Sequence, residues 1–505
     1  MKINQIKVGI LLSYLQIGLN AVISLTYTPI MLRLLGQSEY GVYTLASSVI
    51  AYLGLLNFGL SSSYIHYYSK YKTRQDEMGL AQLNGVFLTV YLGIAVIAGT
   101  AGVALSSNVS ALFGATLTTQ ELITVRYLML ILTVNLMMSF ASTVFTAYVS
   151  ANEQFAFQKL LSMGKTVISP LITIPVLLLG YRSIGMAVVT TVISIAVDIS
   201  NLVYCFRKLH MRISLRGADF RVVGEIASFS VFIAINSIVD QINWQVDKFI
   251  LGHYHGTAET AIYGVASQIN SIYISVSTAI SSMFTPRVHR IVHDVDCDIQ
   301  FTRLFTKIGR IQAMVLGLIG SGFILFGRPF VYFWAGPEYS EAYGITLLLI
   351  LPGTIPLIQN LGIEIQRAKN MHQFRTVTYM IMAILNVFVS IPLGHYYGGM
   401  GCALGTAISL ILANGIIMNW YYSRKIHLDI RYFWSQIIRL FPAILTAVVF
   451  GILLILWAPV DRVSILLLTI GIYALLYSGL CWKFSLNPSE KKIVADLRRK
   501  VRHMA

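Results

Sequence analysis

Mostly apolar runs of about 20 residues recur along the chain, separated by short polar stretches. They fall at 8–32, 42–64, 80–105, 121–149, 160–180, 184–206, 226–253, 258–285, 306–333, 339–366, 374–395, 399–422, 434–457 and 462–482. A helix needs roughly 20 such residues to cross hydrocarbon. The runs lack the period-two alternation of a membrane strand. The pattern therefore predicts an all-α polytopic membrane protein with about fourteen transmembrane helices. The first run follows Lys2 and Lys7, but it is too long for a signal-peptide core and lacks a small-x-small cleavage site, so it reads as a retained helix.

Charge fixes the expected orientation. Of 37 Lys and Arg residues, all but Arg33, Arg126, Arg182, Lys248, Arg328 and Arg462 fall on one set of alternate segments. That bias places both termini in the cytoplasm. Trp334, Trp420, Trp434, Trp457 and Trp482 sit at run ends, where an amphipathic ring meets lipid headgroups; Trp244 lies inside a run. Composition agrees: 505 residues, 56% hydrophobic and 11% charged, with mean hydropathy +0.71. The net charge of +16 is spread between spans rather than gathered in a basic domain, which argues against nucleic acid. Cys205, Cys297, Cys402 and Cys481 have no CxxC spacing, so neither a metal site nor a disulfide framework is expected, and no cofactor.

The two halves echo each other. Leu35-Gly36 recurs as Leu251-Gly252, Tyr40-Gly41 as Tyr263-Gly264, and Asn152 as Asn370. Tyr181-x-x-Ile-Gly-Met-Ala recurs as Tyr397-x-x-Met-Gly-Cys-Ala. Six spans separate the copies, so the repeats are parallel, a pattern that points to two bundles rocking about a shared site. The expected division is an N-lobe at 1–206, a cytoplasmic linker at 207–225, a C-lobe at 226–423, added spans at 424–482 and a basic tail at 483–505. The tail reads as an amphipathic segment on anionic lipid.

Several motifs carry a family likeness. Pro29-Ile-Met-Leu-Arg-Leu-Leu-Gly-Gln-Ser-Glu-Tyr-Gly-Val-Tyr43 resembles the first-loop signature of bacterial polysaccharide-repeat flippases of the Wzx type. Val246-Asp247-Lys248-Phe-Ile-Leu-Gly252 with Ile262-Tyr263-Gly264 resembles the same family's seventh-span signature, and Phe284-Thr-Pro286-Arg287 the end of its eighth. The family belongs to the multidrug/oligosaccharidyl-lipid/polysaccharide exporter superfamily. The resemblance implies two six-helix lobes in a V around a central cavity faced by spans one, two, seven and eight. It also implies an oligosaccharide cargo on undecaprenyl pyrophosphate, a bacterial inner-membrane location, and a polymerase and glycosyltransferases as pathway partners. No local motif is catalytic, so function rests partly on analogy.

The polar positions inside the spans are the candidate chemistry. Asn236, Asp240, Asn243 and Asp247 lie 4, 3 and 4 apart on one face of span seven, flanked by Ser237, Gln241, Trp244 and Lys248. A charge at membrane depth costs at least about 2.5 kcal/mol unless it meets water or a partner. Span eight carries Gln268, Ser271, Ser275, Thr278 and Ser282; span one carries Ser13, Gln16, Asn20, Ser24 and Tyr27. Each stripe reads either as a wet cavity wall or as a hydrogen-bonded seam between helices. A wet groove would take the glycan that hydrocarbon rejects. Arg33, Arg126, Lys248 and Arg367 are phosphate candidates, with membrane snorkelling, carboxylate pairing or positive-inside placement as their alternatives. Asp198, Asp240, Asp247 and Glu364 are candidates for a coupling proton or sodium ion, or for structural ion pairs.

Other patterns lead nowhere. Asp294-x-Asp296-x-Asp298 lacks the Gly and Glu of a calcium loop. His289 and His293 lack the Glu of a zinc protease, and His253-x-His255 has no third ligand. Tyr64, Tyr67, Tyr68 and Tyr71 read as an interfacial belt rather than a sugar platform. A cation exporter of the same superfamily is the first alternative function. A membrane-embedded polysaccharide polymerase or acyltransferase is the second, but the outer loops are too short to hold such chemistry.

Overall fold

The computed structural model describes residues 5–216, 221–292, 294, 296–457, 461–487 and 490–491, with side chains omitted at 5–11 and 221–233. The tail beyond 491, linker residues 217–220 and His293 lie outside the described residues. Helices dominate. The first half holds α1 (Gln5–Leu35), α2 (Gln37–Leu53), α3 (Leu60–Thr73), α4 (Glu77–Ser107), α5 (Val109–Phe113), α6 (Thr119–Ala151), α7 (Phe155–Leu178) and α8 (Arg182–Arg207). Next come α9 (Arg221–Tyr254), α10 (Thr257–Ser282), α11 (Thr285–Ile291), α12 (Cys297–Trp334), α13 (Ala342–Ile358) and α14 (Leu361–Ala368). The chain ends with α15 (Gln373–Leu410), α16 (Asn419–Arg424), α17 (Ile430–Ile438), α18 (Phe441–Trp457) and α19 (Val463–Leu480).

Among the described residues, ten helices are long and apolar enough to cross a membrane, or eleven if the pair α13–α14, bent by 40°, is one span. One of the ten runs from Gln373 to Arg424. Its 52 residues would reach about 78 Å if straight, more than twice a bilayer core. It breaks at Gly398 (φ 57°, ψ −140°), where the hydropathy pattern divides two runs. The helices α9 and α10, which carry the polar stripes of spans seven and eight, are not among the ten.

The sequence repeat has a physical counterpart at these breaks. Gly36 and Gly256 both take positive φ, 77° and 81°, and each precedes a glutamate three residues on. Glu39 accepts from the backbone amide of Ser183 at 3.4 Å and pairs with Arg182 at 3.6 Å. Glu259 accepts from the amide of Gly399 at 2.7 Å. Each carboxylate thus serves the start of a helix, where orphan amides and the helix dipole favour negative charge. The residues before these amides, Arg182 (φ 46°) and Gly398, both have positive φ.

Contacts divide the chain into two units, one of residues 1–265 with 376–406, the other of 266–375 with 407–505. The division runs through α10 and α15. In the first unit α6 packs on α2, α4 and α8, α1 lies along α7, and α9 packs on α2 and α3. The close approach of α2 is set by Gly41, whose missing Cβ makes room for the Thr257 carbonyl. The linker stretch 209–216 is tied to α4: Ser214 donates its amide to Ala81 at 2.9 Å, and Asn84 donates to Arg212 at 2.8 Å. One aromatic expectation changes. Tyr64 and Tyr68 are core residues, with hydroxyls on Asn84 (2.5 Å) and Asn152 (2.9 Å), because α4 and α6 cover that face of α3. Trp334, the last residue of α12, is buried and stacked on Phe330. In the second unit α12 is the centre, packed by α13, α17, α18 and α19. The four cysteines are free thiols, three of them buried.

Candidate functional site

On α9 the polar face changes character along its length. Asn236 and Asp240 are exposed, Asn243 is half-buried, and Asp247 is 1% exposed. Asn236 donates to Thr376 at 3.2 Å. Trp244 is exposed, and Lys248 is half-buried with its ammonium on Gln245 at 3.4 Å. The 4-3-4 spacing does keep one face, and burial becomes complete at its C-terminal end.

Around Asp247 the fold builds a polar cluster. Its Oδ2 accepts from the Tyr263 hydroxyl at 2.5 Å and from Thr406 Oγ1 at 3.0 Å. Thr406 in turn accepts from Asn386 at 3.3 Å, and Ser390 donates to Asn386 Oδ1 at 3.0 Å. The break at Gly398 folds the two arms of α15 back to back. Asn386 and Ser390 sit one turn apart on one arm, Cys402 and Thr406 one turn apart on the other. Small residues allow that approach: a Cβ at Gly405 would meet Ser390, and one at Gly401 the Leu393 carbonyl. Asp247 Oδ1 is buried with no hydrogen-bond partner among the described residues. A buried carboxylate oxygen in that condition is costly, and a proton, a hard cation or a bound water would satisfy it. Tyr263, Asn386, Ser390 and Thr406 were missed as site residues in the sequence. The (i, i+4) polar pairs at 386/390 and 402/406 were the available signal.

The other candidates of the first unit sit apart from this cluster. Asn20 is exposed and takes a bond from Thr166 on α7 at 3.1 Å, one turn from Gln16, which donates to Ser162 at 2.5 Å. At least these two residues of the α1 stripe form a seam with α7. Arg33 is exposed in the last turn of α1, where a cation complements the helix dipole. Asp198 is half-buried on α8, one turn from Ser194, which takes the Lys165 ammonium at 2.9 Å.

In the second unit Gln268 is half-buried and Ser271 exposed. Ser275, Thr278 and Ser282 turn their hydroxyls onto carbonyls of their own helix, at 2.7, 3.0 and 3.0 Å. A different face of α10 does the pairing: Ser277 donates to the Leu357 carbonyl at 2.9 Å, and Tyr273 meets Thr354 at 2.7 Å. Arg367 pairs with Glu364 at 2.8 Å, an (i, i+3) bridge whose arginine stays 62% exposed. The two residues proposed for separate roles, phosphate and ion, are partners of each other here.

Comparison with known proteins places this geometry. A family profile described as "Polysaccharide biosynthesis protein" matches residues 30–344. A Bacillus subtilis (strain 168) protein named "Uncharacterized membrane protein EpsK" is 22% identical over 422 residues, covering 80% of this chain and 81% of the relative. A "Putative O-antigen transporter" of Shigella flexneri is 21% identical over 417 residues, covering 78% and 91%. Among solved structures, "Lipid II flippase MurJ, inward closed conformation" superposes with a TM-score of 0.74 at 17% identity, over 94% of this chain and 98% of that one. The last is a likeness of fold.

Proposed function

We propose that this multi-pass membrane chain, which belongs to the polysaccharide biosynthesis protein family, is a flippase. Its cargo is an undecaprenyl-pyrophosphate-linked oligosaccharide repeat, carried from the inner to the outer leaflet of a bacterial cytoplasmic membrane. Fourteen crossings with both termini cytoplasmic complete the reading, arranged as the two six-helix lobes of the sequence repeat plus spans 13 and 14. The product serves capsule, O-antigen or exopolysaccharide assembly.

The observation that carries this reading is the exposed polar face of α9. Asp240 stands near the middle of a 34-residue helix and is exposed. In lipid a carboxylate that meets neither water nor a partner costs at least about 2.5 kcal/mol, and a water-filled path along α9 would supply water to its exposed side. A polar sugar headgroup needs such a path. Asn236, Asp240, Asn243 and Trp244 are assigned to the glycan, with Asn20, Gln268 and Ser271 as further wall residues. Arg33, Lys248 and Arg367 are assigned to the phosphates. Asp247, with its unsatisfied oxygen, is the first choice for a coupling ion, ahead of Asp198, Asp240 and Glu364.

Deleting the gene tests the proposal. Carrier-linked oligosaccharide is expected to accumulate on the inner leaflet. If it reaches the outer leaflet at the normal rate in a strain without a second transporter, the flippase reading is wrong.

A further inference from the structure

The segment between α10 and α12 builds a second polar site. Pro286, in the Phe284–Arg287 motif, lies in the first turn of α11, and Arg287 after it stands on the wall of a cleft. The opposite wall is the first turns of α12, where Arg303 and Lys307 stand one turn apart. The cleft encloses about 470 Å³, inside the range of small-ligand pockets. Asp296 is the one carboxylate lining it, so the lining carries three cations against one anion.

None of the three cations makes a side-chain ion pair or hydrogen bond among the described residues. Two further acids of this unit are engaged elsewhere, Asp298 with Lys369 at 2.5 Å and Glu490 with Arg310 at 2.8 Å, which leaves Asp296 as the carboxylate facing the three cations. Residues that only obey the positive-inside bias need to be on the right side of the membrane. They have no need to converge in a concavity from two helices. Two guanidinium forks and an ammonium around one cleft suit phosphate oxygens. The floor at Ile291 is buried, while Ile299 on the rim is 56% exposed, an apolar lip beside a cationic cleft. That combination fits an amphiphile better than a soluble anion.

We propose that Arg287, Arg303 and Lys307 form a binding site for the phosphate or diphosphate headgroup of an anionic lipid. On the orientation given above, which this step adopts from the flippase reading, the cleft opens on the cytoplasmic face. There it would hold the lipid carrier before its glycan enters the translocation path.

The test uses the full chain in nanodiscs of phosphatidylcholine. Binding of undecaprenyl diphosphate, phosphatidylglycerol and inorganic pyrophosphate is measured by native mass spectrometry. The combined variant R287Q/R303Q/K307Q should weaken undecaprenyl diphosphate binding at least about tenfold, since each lost phosphate contact is charge-assisted. R290Q, also on α11 but outside the lining, should stay within about twofold; general surface charge is weakly felt. Equal losses for phosphatidylglycerol support a site for phosphate-bearing lipids of either kind. Unchanged lipid binding in the triple variant overturns the proposal, as does an equal loss in R290Q. Pyrophosphate binding as tightly as the lipids also overturns it, by marking a soluble-phosphate site. Transport of the carrier is followed separately, with the same protein preparations in sealed phosphatidylcholine proteoliposomes. A wild-type protein that binds but never translocates sinks the flippase reading and leaves the cleft. One that translocates while the triple variant binds normally does the reverse.

Discussion

Removing Glu490 should loosen the second unit more than any surface charge could. Arg310 and Glu490 are 2% and 4% exposed. The guanidinium spends its donors on four acceptors: Glu490 Oε1 at 2.8 Å and Oε2 at 3.1 Å, the Gln436 carbonyl at 2.7 Å and the Ser485 carbonyl at 2.6 Å. The Asn487 amide also donates to Glu490 Oε2 at 2.8 Å. One arginine thereby fastens α12, α17 and the segment after α19 together. Glu490→Ala leaves the buried cation without a counter-charge, which costs about 3–5 kcal/mol in comparable pairs. The two carbonyl bonds survive, so the loss here is set at about 2–4 kcal/mol. For a unit of about 200 residues each kcal/mol moves Tm by about 2–4 °C, so a fall of about 4–16 °C is expected. Thermal unfolding in detergent at one fixed scan rate measures it, because such transitions are rate-dependent. Arg310→Met combined with Glu490→Leu removes both charges and should lie closer to wild type than Glu490→Ala. A Glu490→Ala protein that melts within about 1 °C of wild type would refute the reasoning.

Further predictions concern the membrane helices. Gly398→Ala forces a Cβ into a backbone region that essentially only glycine occupies, and toward Glu259 Oε1 at 2.7 Å; a loss of roughly 1–3 kcal/mol should show as a lower unfolding temperature, and an unchanged one would remove the strain argument. Asp247→Asn keeps an acceptor for Tyr263 and Thr406 but removes the charge; export should fall severalfold and lose its dependence on sodium or proton gradient, and retention of both would exclude Asp247 from coupling. Lys248→Ala should impair export while folded protein persists at wild-type levels, since among the described residues its ammonium makes a weak hydrogen bond to Gln245 at 3.4 Å; normal export would strike Lys248 from the site. Gly41→Val should lower the yield of folded protein, because the added side chain runs into the Thr257 backbone; a wild-type yield on fluorescence-detected gel filtration would show that α2 has room to move.

What the sequence by itself determined is local. Hydropathy marked the helices, because burial in lipid acts on every residue of a run of about 20. The glycine-to-glutamate spacing of 36/39 recurs at 256/259 in the sequence, four residues past the Gly252 that the Leu-Gly echo pairs with Gly36, and the structure shows Gly36 and Gly256 sharing a positive φ. The motifs at Val246–Gly264 and Phe284–Arg287 lie within the stretch that the family profile matches, so the family was legible too. The pairing of Glu364 with Arg367 needed only an (i, i+3) spacing to be foreseen.

Only the tertiary structure decided which polar residues meet. Asp247 finds Thr406 across 159 residues, and Arg310 finds Glu490 across 180. Those contacts depend on where helices cross and on the fold-back at Gly398, and helical periodicity carries no information about either. Periodicity put Asp240 and Asp247 on one stripe; packing left one exposed and buried the other. The stripe on α10 divided likewise, with its hydroxyls turned onto their own helix while Ser277 and Tyr273 made the bonds to α13. A face can be read from one helix alone, but its environment is set by neighbours that arrive from far along the chain.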